Sequence, residues 1–600
     1  MRLNIICISA FLIFLVLFLC LNVAGFYMRY SNNTHSWSKP LFNTNLAIHE
    51  LPTEFSRDDE IFVDEALEGS SEGNFWRIEP EISVESHSLD DVLSAQEIVY
   101  TAAVLEMEAD RNWTQGGSEQ IFKRNIRSIE FYAAQAKILG ADIVLCPEYG
   151  LEGLDHHSRN QSVFSALSLA VPSPLESVAP CDVNSSVFDP LHELSCTARH
   201  QQLYLVVDLA EKSCKNDTIA AECAPDQLVY YNTQVVFDRT GVVVARYRKR
   251  HLFLEPKFSP SPDSMDAALF TSDFGVTFSL QICFDILFED PGYANVQRNL
   301  TRDIVMSTAW VDVAPFNLAP NVQNSFSRRL GVNLLASNYH WPEQSKLGSG
   351  VYRGYSDMKH AYTYDQHSGD VLVVAPVRTR LSTAPLRPPS PRLSRPMILK
   401  YKKPSDGHRQ LNVRRFPMKL LSTSDVLNAS STAGQEFHVQ VCHKNLCCDL
   451  QYQYMASEKQ VYRSVAYSGL FPAGVKLIYL QLCGVVWCKS TDVDSCSDYV
   501  TQMDASSDVF GPFNVAGNFT SDITFPNAMT RNETLVSNDL YEFTEEPGYS
   551  SKLEFKQEVP FLLTSYLAGR NFSRDVPNRQ LTQEEQESIL GVANLFNFIV

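Results

Sequence analysis

The chain has 600 residues, of which 44% are apolar and 11% are aromatic, and this excludes a protein that is disordered throughout. Its net charge of −19 argues against a broad nucleic-acid interface, because such a surface needs cations to neutralise phosphates. At this length the chain is expected to form two domains with additional tails.

The N-terminal residues have the pattern of a targeting segment. Arg2 supplies a positive charge, an almost wholly apolar run extends over residues 5–23, and Ala24 and Gly25 are small. We predict a signal peptide or a signal anchor over residues 1–25, since the run is near the lower length limit for spanning a bilayer. Both interpretations make the protein secreted or place it on the extracellular face of the cell membrane. A GPI tether is a further option, although the apolar run after Ser588 is short for that signal.

Glycosylation sequons agree with an extracellular location. The Asn-X-Ser/Thr pattern occurs at Asn32, Asn112, Asn160, Asn184, Asn216, Asn299, Asn428, Asn518, Asn532 and Asn571. A single sequon carries little information, but this many are typical of a glycosylated ectodomain.

The cysteines point to the same oxidising compartment. Ten of them form two clusters, at Cys181, Cys196, Cys214 and Cys223, and at Cys442, Cys447, Cys448, Cys483, Cys488 and Cys496. We predict that these ten form disulfides of undetermined connectivity. Paired CxxC spacing is absent, so no metal site is expected. Cys146 and Cys283 stand apart, each in an apolar run that reads as a strand.

An acidic segment follows the targeting segment, and a patterned region follows it. Residues 26–95 are rich in carboxylates and serines and show no hydrophobic periodicity, which predicts a flexible segment. Residues 96–375 alternate between strand and helix patterns and predict an α/β domain with layered sheets. The predicted strands are Val99–Val104, Ile143–Cys146, Leu203–Leu209, Tyr230–Phe237, Val242–Tyr247, Val276–Ile282, Asp303–Thr308 and Val332–Ser337, and the predicted helices are Phe122–Gly140 and Asn321–Leu330.

The last third of the chain has a different composition. Residues 376–419 are rich in proline and carry twelve Lys or Arg side chains against the single acid Asp406, which predicts a solvated basic linker. Residues 420–567 combine short β-rich runs with six cysteines and predict a disulfide-bonded β domain. Residues 568–600 are expected to form a tail.

Three reactive side chains follow predicted strands of the α/β domain. Glu148, Lys249 and Cys283 each come directly after, or within two residues of, an apolar strand. Singly, each is more often a surface charge or a buried structural cysteine. Together they supply a base, an ammonium that stabilises a thiolate or an oxyanion, and a nucleophile. Strand ends are where open α/β sheets place reactive groups, so the three can share one site.

Sequence blocks around these residues resemble the nitrilase (carbon–nitrogen hydrolase) superfamily, and more closely its vanin (pantetheinase) and biotinidase branch. The blocks with reactive residues are Cys146–Glu148, Tyr247–Phe253 and Cys283–Phe288, supported by Tyr231–Thr233, Thr308–Trp310, Asn333–Asn338, Gly348–Gly350 and, for the C-terminal domain of that branch, Val441–Cys448. The resemblance extends from about residue 98 to about residue 567.

The resemblance implies a fold and a set of roles. The fold would be a nitrilase-type α-β-β-α sandwich over residues 96–375, followed by the disulfide-bonded, β-rich C-terminal domain. Glu148 would be the proton acceptor, Lys249 the proton donor and oxyanion stabiliser, and Cys283 the nucleophile. Glu255 is the candidate for a second, supporting glutamate.

The resemblance also implies a closed pocket that admits a small substrate. Trp310 and Asn338 are the candidate substrate-binding residues. Tyr149 departs from the branch, in which an acidic residue is common after the catalytic glutamate, and this bears on substrate preference more than on chemistry.

Three functions are consistent with these features. The first is hydrolysis of pantetheine to pantothenate and cysteamine through a Cys acyl-enzyme, the second is release of biotin from biotinyl-lysine, and the third is a catalytically inactive surface binding protein. The first is preferred. The implied partner is a small-molecule amide and not a nucleic acid, the mechanism needs no cofactor, and the oligomeric state stays open.

Overall fold

A computed structural model describes residues 61–64 and 96–576 of the chain. Gaps in that description fall at 115, 155–158, 184–186, 216–222, 357, 391–392, 402–413, 419–420, 422, 428–434, 456–460, 475, 498–508 and 547–549. The predicted targeting segment, most of the acidic segment and the end of the predicted tail therefore lie outside the described residues. Four of the sequon asparagines, Asn32, Asn184, Asn216 and Asn428, lie outside them as well.

The first sheet has eight strands. In chain order they are β1 (Ile61–Asp64), β2 (Glu97–Glu106), β3 (Ile143–Leu145), β4 (Tyr204–Cys214), β5 (Leu228–Phe237), β6 (Val243–Arg248), β14 (Asp370–Arg380) and β15 (Met397–Tyr401). Their order across the sheet is β1-β15-β14-β2-β3-β4-β5-β6, with β2, β3 and β4 parallel. Because β5 pairs antiparallel with both β4 and β6, strand β6 runs in the direction of β3.

The second sheet has six strands and lies against the first. They are β7 (Leu269–Thr271), β8 (Thr277–Ile282), β9 (Asp303–Ser307), β11 (Asn333–Ser337), β12 (Ser349–Arg353) and β13 (Ala361–Thr363), in the order β13-β12-β11-β9-β8-β7. One continuous apolar core contains side chains of both sheets, including Val104 and Leu145 from the first and Leu280 and Val305 from the second. The facing residues are fully buried, and this burial holds the sheets together.

Helices cover the outer faces of the two sheets. They are α1 (Gly117–Ile138), α2 (Gln161–Ala166), α3 (Pro190–Gln201), α4 (Ala294–Gln297) and α5 (Ala319–Leu330). Helix α1 buries a stripe that includes Phe122, Ile126 and Ile129, the three-and-four spacing visible in the sequence. The helix ends at Ile138, two residues before Gly140, whose φ of 81° ends the turn without strain. The predicted α-β-β-α sandwich is confirmed.

The C-terminal region forms a β-rich domain of two packed sheets. One contains β17 (Thr423–Val426), β20 (Val461–Ala473), β21 (Lys476–Cys488), β23 (Ile523–Thr530) and β27 (Leu562–Arg570), and the other contains β18 (Phe437–His443), β19 (Leu446–Met455), β22 (Val509–Asn518), β24 (Tyr541–Glu546), β25 (Ser550–Phe555) and β26 (Val559–Pro560). A short parallel pair, β10 (Val313–Ala314) and β16 (Arg414–Arg415), joins the chain entering this domain to the sandwich. Helix α5 contacts the domain through Ser325, whose hydroxyl donates to the Pro526 carbonyl at 2.7 Å.

The structure corrects part of the predicted linker over residues 376–419. Residues 376–380 continue β14, and Met397–Tyr401 forms β15, the antiparallel neighbour of β14. The four described residues of the predicted flexible segment, Ile61–Asp64, pair with β15 in turn. The basic, proline-rich composition hid these strands, because one face of the sheet meets solvent: Arg378 and Arg380 of β14 are exposed and alternate with the buried Val377 and Thr379. At the other end, β27 extends to Arg570, three residues into the predicted tail.

All ten clustered cysteines form disulfides. The pairs are Cys181–Cys196, Cys214–Cys223, Cys442–Cys447, Cys448–Cys483 and Cys488–Cys496. Cys146 and Cys283 are free and buried. The predicted division of the cysteines is confirmed.

Peptide mapping of the purified protein should reproduce that division. After denaturation and alkylation without reduction, we expect label on Cys146 and Cys283 alone among the twelve cysteines that follow the targeting segment, because disulfide sulfurs do not alkylate. Label on Cys488 or Cys496 would contradict the assigned pairs.

The described sequon asparagines lie at or near the surface. Asn112, Asn160, Asn299, Asn518 and Asn532 are exposed and Asn571 is half-buried. Within the part of the chain that the structure describes, no helix has both the length and the apolar character needed to cross a bilayer.

Candidate active site

The three predicted reactive residues meet at one end of the sandwich. Glu148 follows β3, Lys249 follows β6 and Cys283 follows β8, each at the carboxyl end of its strand. Strands β3 and β6 run in the same direction within the first sheet, and β8 belongs to the second sheet. The site therefore forms between the two sheets, at the carboxyl ends of these three strands. All three side chains are more than nine-tenths buried.

Lys249 lies between two carboxylates. Its Nζ is 2.7 Å from Oε1 of Glu148 and 2.9 Å from Oε2 of Glu255. Burial by itself would lower the pKa of the Lys249 ammonium, but the charges of Glu148, Cys283 and Asp285 and the hydrogen bond to Glu148 together outweigh burial and raise this pKa above its ordinary value. Lys249 is therefore a protonated, fixed cation at neutral pH.

The Glu148 carboxylate has a donor on each oxygen. The backbone N–H of Ala309 donates to Oε2 at 2.8 Å, while Lys249 and Nδ2 of Asn232 both approach Oε1, the amide at 2.9 Å. These bonds hold the carboxylate in one orientation, which a general base needs for efficient proton transfer.

Glu255, predicted as the supporting glutamate, lies in the same cluster. Its Oε1 accepts from Asn232 at 2.7 Å and from the Tyr149 hydroxyl, and its Oε2 accepts from the Phe253 N–H at 2.8 Å. Burial, together with the nearby charge of Glu148, raises the pKa of Glu255 well above its ordinary value. Two carboxyl groups therefore share one ammonium, and Glu255 holds a proton more readily than a solvated glutamate does.

Cys283 occupies a sharp turn between a strand and a short helix. Its φ is 46°, and a 3₁₀ helix, Cys283–Leu287, begins at the same residue. This left-handed conformation is costly for a side chain with a Cβ, and such strain is concentrated at functional sites. The turn also leaves the Phe284 N–H at the start of the helix, where backbone donors have no intrahelical acceptor.

The environment of Cys283 favours the neutral thiol until a proton acceptor engages it. Burial raises the pKa of the Cys283 thiol, the charge of Glu148 raises it further, and Lys249 opposes both. Activation of such a thiol requires a base, and the Glu148 carboxylate lines the same cavity as Cys283.

Asp285 connects the turn of Cys283 to the loop of Lys249. One carboxylate oxygen accepts from the Ile282 N–H at 2.9 Å and from the Tyr247 hydroxyl at 2.8 Å, and the other accepts from the His251 N–H at 2.9 Å. The nucleophile and the ammonium are thus held at a fixed separation by one buried side chain.

Two adjoining cavities reach Cys283. One, of about 70 Å³, is lined by Glu148, Tyr149, Leu154, Lys249, Phe253, Leu254, Glu255, Cys283, Ala309, Val311 and Lys346. The other, of about 80 Å³, is lined by Phe253, Cys283, Phe284, Leu287, Ala309, Trp310, Val311, Val313, Asn317, Pro417, Phe471, Pro472, Ala473 and Gly474. The second cavity is mostly apolar, and its last four residues come from the β20–β21 hairpin of the C-terminal domain.

The two predicted substrate-binding residues differ in position. Trp310 lines the larger cavity beside Cys283. Asn338 does not line either cavity: it is fully buried, accepts from the Trp310 N–H at 2.9 Å and donates to the Leu347 carbonyl at 2.6 Å. Substrate contact by Asn338 stays a prediction; in this structure its amide holds the loop of Trp310.

Asn232 was not predicted as a site residue. It lies in β5, and Nδ2 donates between Glu148 and Glu255. The available signal was a polar side chain in the middle of an apolar strand, where burial requires a hydrogen-bond partner.

Replacement of Asn232 by leucine should reduce kcat/KM by up to about a hundredfold, because loss of the amide lets the Glu148 carboxylate shift. Asn295→Leu is the matched control, since Asn295 is equally buried but bonds to Ser279 away from the cavities. Rates are measured with thermal unfolding beside them. An unchanged rate in the Asn232 variant would remove the positioning role.

Comparison with known proteins agrees with this arrangement. Residues 107–319 match the carbon–nitrogen hydrolase family, and residues 408–575 match the vanin C-terminal domain. Pantetheinase from Bos taurus is 30% identical over 473 residues, 76% of this chain and 86% of the relative. Pantetheinase from Homo sapiens is 29% identical over 79% of this chain and 90% of the relative, and biotinidase from Bos taurus is 27% identical over 76% and 88%.

The two family matches fall on the two domains of the structure: the first on the sandwich that contains Glu148, Lys249 and Cys283, and the second on the β domain. The relatives span most of the chain. The chain belongs to the pantetheinase and biotinidase branch of the carbon–nitrogen hydrolase family and is a thiol amidohydrolase.

Proposed function

We propose that this protein hydrolyses pantetheine to pantothenate and cysteamine through an acyl-enzyme on Cys283. The observation that supports this most directly is the shared cavity of Glu148, Lys249 and Cys283, in which one carboxylate oxygen already contacts the ammonium. The proposal assigns Glu148 as base, Lys249 as oxyanion stabiliser and Cys283 as nucleophile.

The first half of the reaction forms the thioester. Glu148 accepts the thiol proton, and the Cys283 sulfur bonds to the amide carbonyl carbon. Lys249 and the Phe284 N–H stabilise the oxygen that becomes negative. Glu148 then returns the proton to nitrogen, the C–N bond breaks, and cysteamine leaves.

The second half releases the acid. Water enters in place of the amine, Glu148 accepts one of its protons, and the oxygen attacks the thioester carbon. The C–S bond breaks, the thiolate is reprotonated from Glu148, and pantothenate leaves. Glu148 alternates between base and acid, which its fixed hydrogen bonds to Ala309 and Asn232 support.

Pantetheine is preferred over biotinyl-lysine because the pantetheinases among the relatives are slightly more similar to this chain than the biotinidase is. One observation favours the second candidate. The larger cavity is lined mainly by apolar side chains such as Phe284, Leu287 and Phe471, and these suit the apolar arm of biotin better than a hydroxylated chain.

A paired assay separates the two. Purified protein is given pantetheine and biotinyl-lysine at matched enzyme concentrations, and cysteamine and lysine release are measured with Cys283→Ala as the blank. We expect the larger kcat/KM for pantetheine, because the pantetheinases among the relatives are slightly more similar to this chain than the biotinidase is. A larger value for biotinyl-lysine would overturn the substrate, and no turnover of either would direct the search to another amide or to a binding protein.

We also propose that the protein acts outside the cytosol. The disulfides and the exposed sequons at Asn112, Asn160 and Asn532 support this. Expressed in animal cells, the protein should shift to lower mass on treatment with an N-glycosidase, in the medium or on the cell surface. An unglycosylated protein confined to the cytosol would refute the proposal. The fraction released into the medium distinguishes a secreted protein from one that a signal anchor or a GPI tether holds on the cell surface.

A further inference from the structure

A third cavity, with a basic lining, lies between the sandwich and the C-terminal domain. It has a volume of about 610 Å³. Its walls are the second half of α5, the loop that follows β12, and residues 535–539 of the C-terminal domain. None of its lining residues lines either cavity at Cys283.

Arg353 is the central cation of this cavity. It ends β12, is 2% exposed, and donates from Nη1 to the Pro376 carbonyl at 3.0 Å. Its Nε is buried with no hydrogen-bond partner among the described residues, and no described carboxylate lies within ion-pair distance of the guanidinium. Burial lowers the pKa of Arg353 to about 10, so it remains charged at neutral pH. A buried guanidinium without a counter-charge is unfavourable unless a partner supplies one.

Further cations surround Arg353. Arg328 of α5 donates to the Asn538 carbonyl at 3.0 Å and lies over the Tyr541 ring, and Lys359 is exposed at the rim. Nδ1 of His360 accepts from the backbone N–H of Arg353 at 2.8 Å. Burial, with the charges of Arg353 and Arg328, lowers the pKa of His360 to about 4. His360 is therefore neutral at pH 7 and adds no positive charge to the cavity.

The balance of charge in this cavity is opposite to that of the whole chain. Arg328, Arg353 and Lys359 face one described acid, Asp539, whereas the protein carries a net charge of −19. Asp539 is exposed and accepts from the Ser537 hydroxyl, so it is not a buried partner for Arg353. A concave, partly buried cluster of cations focuses a positive potential that attracts anions.

We propose that this cavity binds a small ligand through a tetrahedral oxoanion, a phosphate or sulfate group, held by Arg353 and Arg328. Arginine presents several N–H donors in a planar fork that matches such an anion, and Lys359 adds an ammonium at the rim. The cavity is larger than the anion alone, so the group is carried on a small organic ligand. Because both domains line the cavity, the bound anion also stabilises their contact.

Inorganic phosphate and inorganic sulfate are the probes. Calorimetric titrations of the full-length glycoprotein are made with each anion at ionic strength matched by sodium chloride, since screening alone changes weak anion binding. Acetate serves as the non-tetrahedral comparison. We expect saturable binding at one site for phosphate, sulfate or both, and none for acetate. The ratio of the two affinities identifies which oxoanion the ligand carries.

Arg353→Met should weaken this binding at least about thirtyfold, because it removes a buried charged donor. In phosphate-free buffer its melting temperature should be equal to or higher than that of the wild type, since an unpaired buried charge is gone. Lys359→Gln should weaken binding by less than about fivefold, as exposed charges do. Lys123→Gln, which removes a surface charge paired with Glu119, is the control and should bind normally.

No saturable binding by the wild type, or full binding by Arg353→Met, would overturn the site. If Arg353→Met fails to fold, Arg353→Lys replaces it and should show the same direction of loss, because one ammonium cannot reproduce the fork. All titrations are repeated with Cys283→Ala, which should bind the anion like the wild type. The outcome is therefore independent of whether the proposed amide substrate is correct.

Discussion

Replacement of Cys283 by alanine should lower amide hydrolysis by at least about 10⁴-fold while folding and secretion are retained. The thiol is the acyl acceptor in the proposed reaction, and a methyl group cannot form the thioester. The position is buried at the end of β8, so removal of one sulfur leaves only a small void. The measurement is product release from the preferred substrate, with thermal unfolding as the check on the fold.

The chain offers a matched control for this variant. Cys146 is also a free, buried cysteine near a strand end, but it lines neither of the cavities at Cys283. Burial raises the pKa of both thiols, but only Cys283 has the Lys249 ammonium and the Glu148 carboxylate beside it, so Cys146 lacks the groups that would activate a thiol. Cys146→Ala should keep nearly full activity. Appreciable turnover by Cys283→Ala, or loss in Cys146→Ala alone, would exclude the assigned nucleophile.

Substitutions of the base and of the ammonium should each lower kcat/KM by at least about a hundredfold. Glu148→Gln keeps the shape of the side chain but cannot accept the thiol proton, and this removes the general base. Lys249→Met removes the cation that stabilises both the thiolate and the oxyanion. Lys249→Arg should not restore activity, because its planar fork does not fit between Glu148 and Glu255, where Nζ is within 3 Å of both.

Lys212→Met is the control for loss of a lysine near the sheet. Lys212 lies in β4, is half-buried and donates to the Ser165 carbonyl, but does not reach the cavities. Its variant should retain activity. Full activity of Lys249→Arg would instead reduce Lys249 to a structural charge and leave the oxyanion without its assigned partner.

Local patterns in the sequence were sufficient for an α/β domain with layered sheets and for reactive residues at its strand ends, and the resemblance to the nitrilase superfamily implied the α-β-β-α sandwich. The spacing of Phe122, Ile126 and Ile129 defined α1, and the alternation before Cys283 defined β8, because one-sided burial imposes a helical or a strand period. Glu148, Lys249 and Cys283 follow the carboxyl ends of β3, β6 and β8, and this position marked them as candidate site residues. The separation of ten clustered cysteines from two isolated ones likewise predicted which cysteines form disulfides, although not their connectivity.

Contacts between distant segments were decided only by the tertiary structure. Asn232 is 84 residues from Glu148 in the chain, yet its amide orients that carboxylate. The hairpin at Phe471–Gly474 forms a wall of the cavity at Cys283, and Arg353 lies buried without a carboxylate partner. No periodicity reports such contacts. A hydrogen bond, a cavity wall or an unpaired charge depends on the position of two whole elements in space, whereas a sequence pattern records only which face of one element is buried.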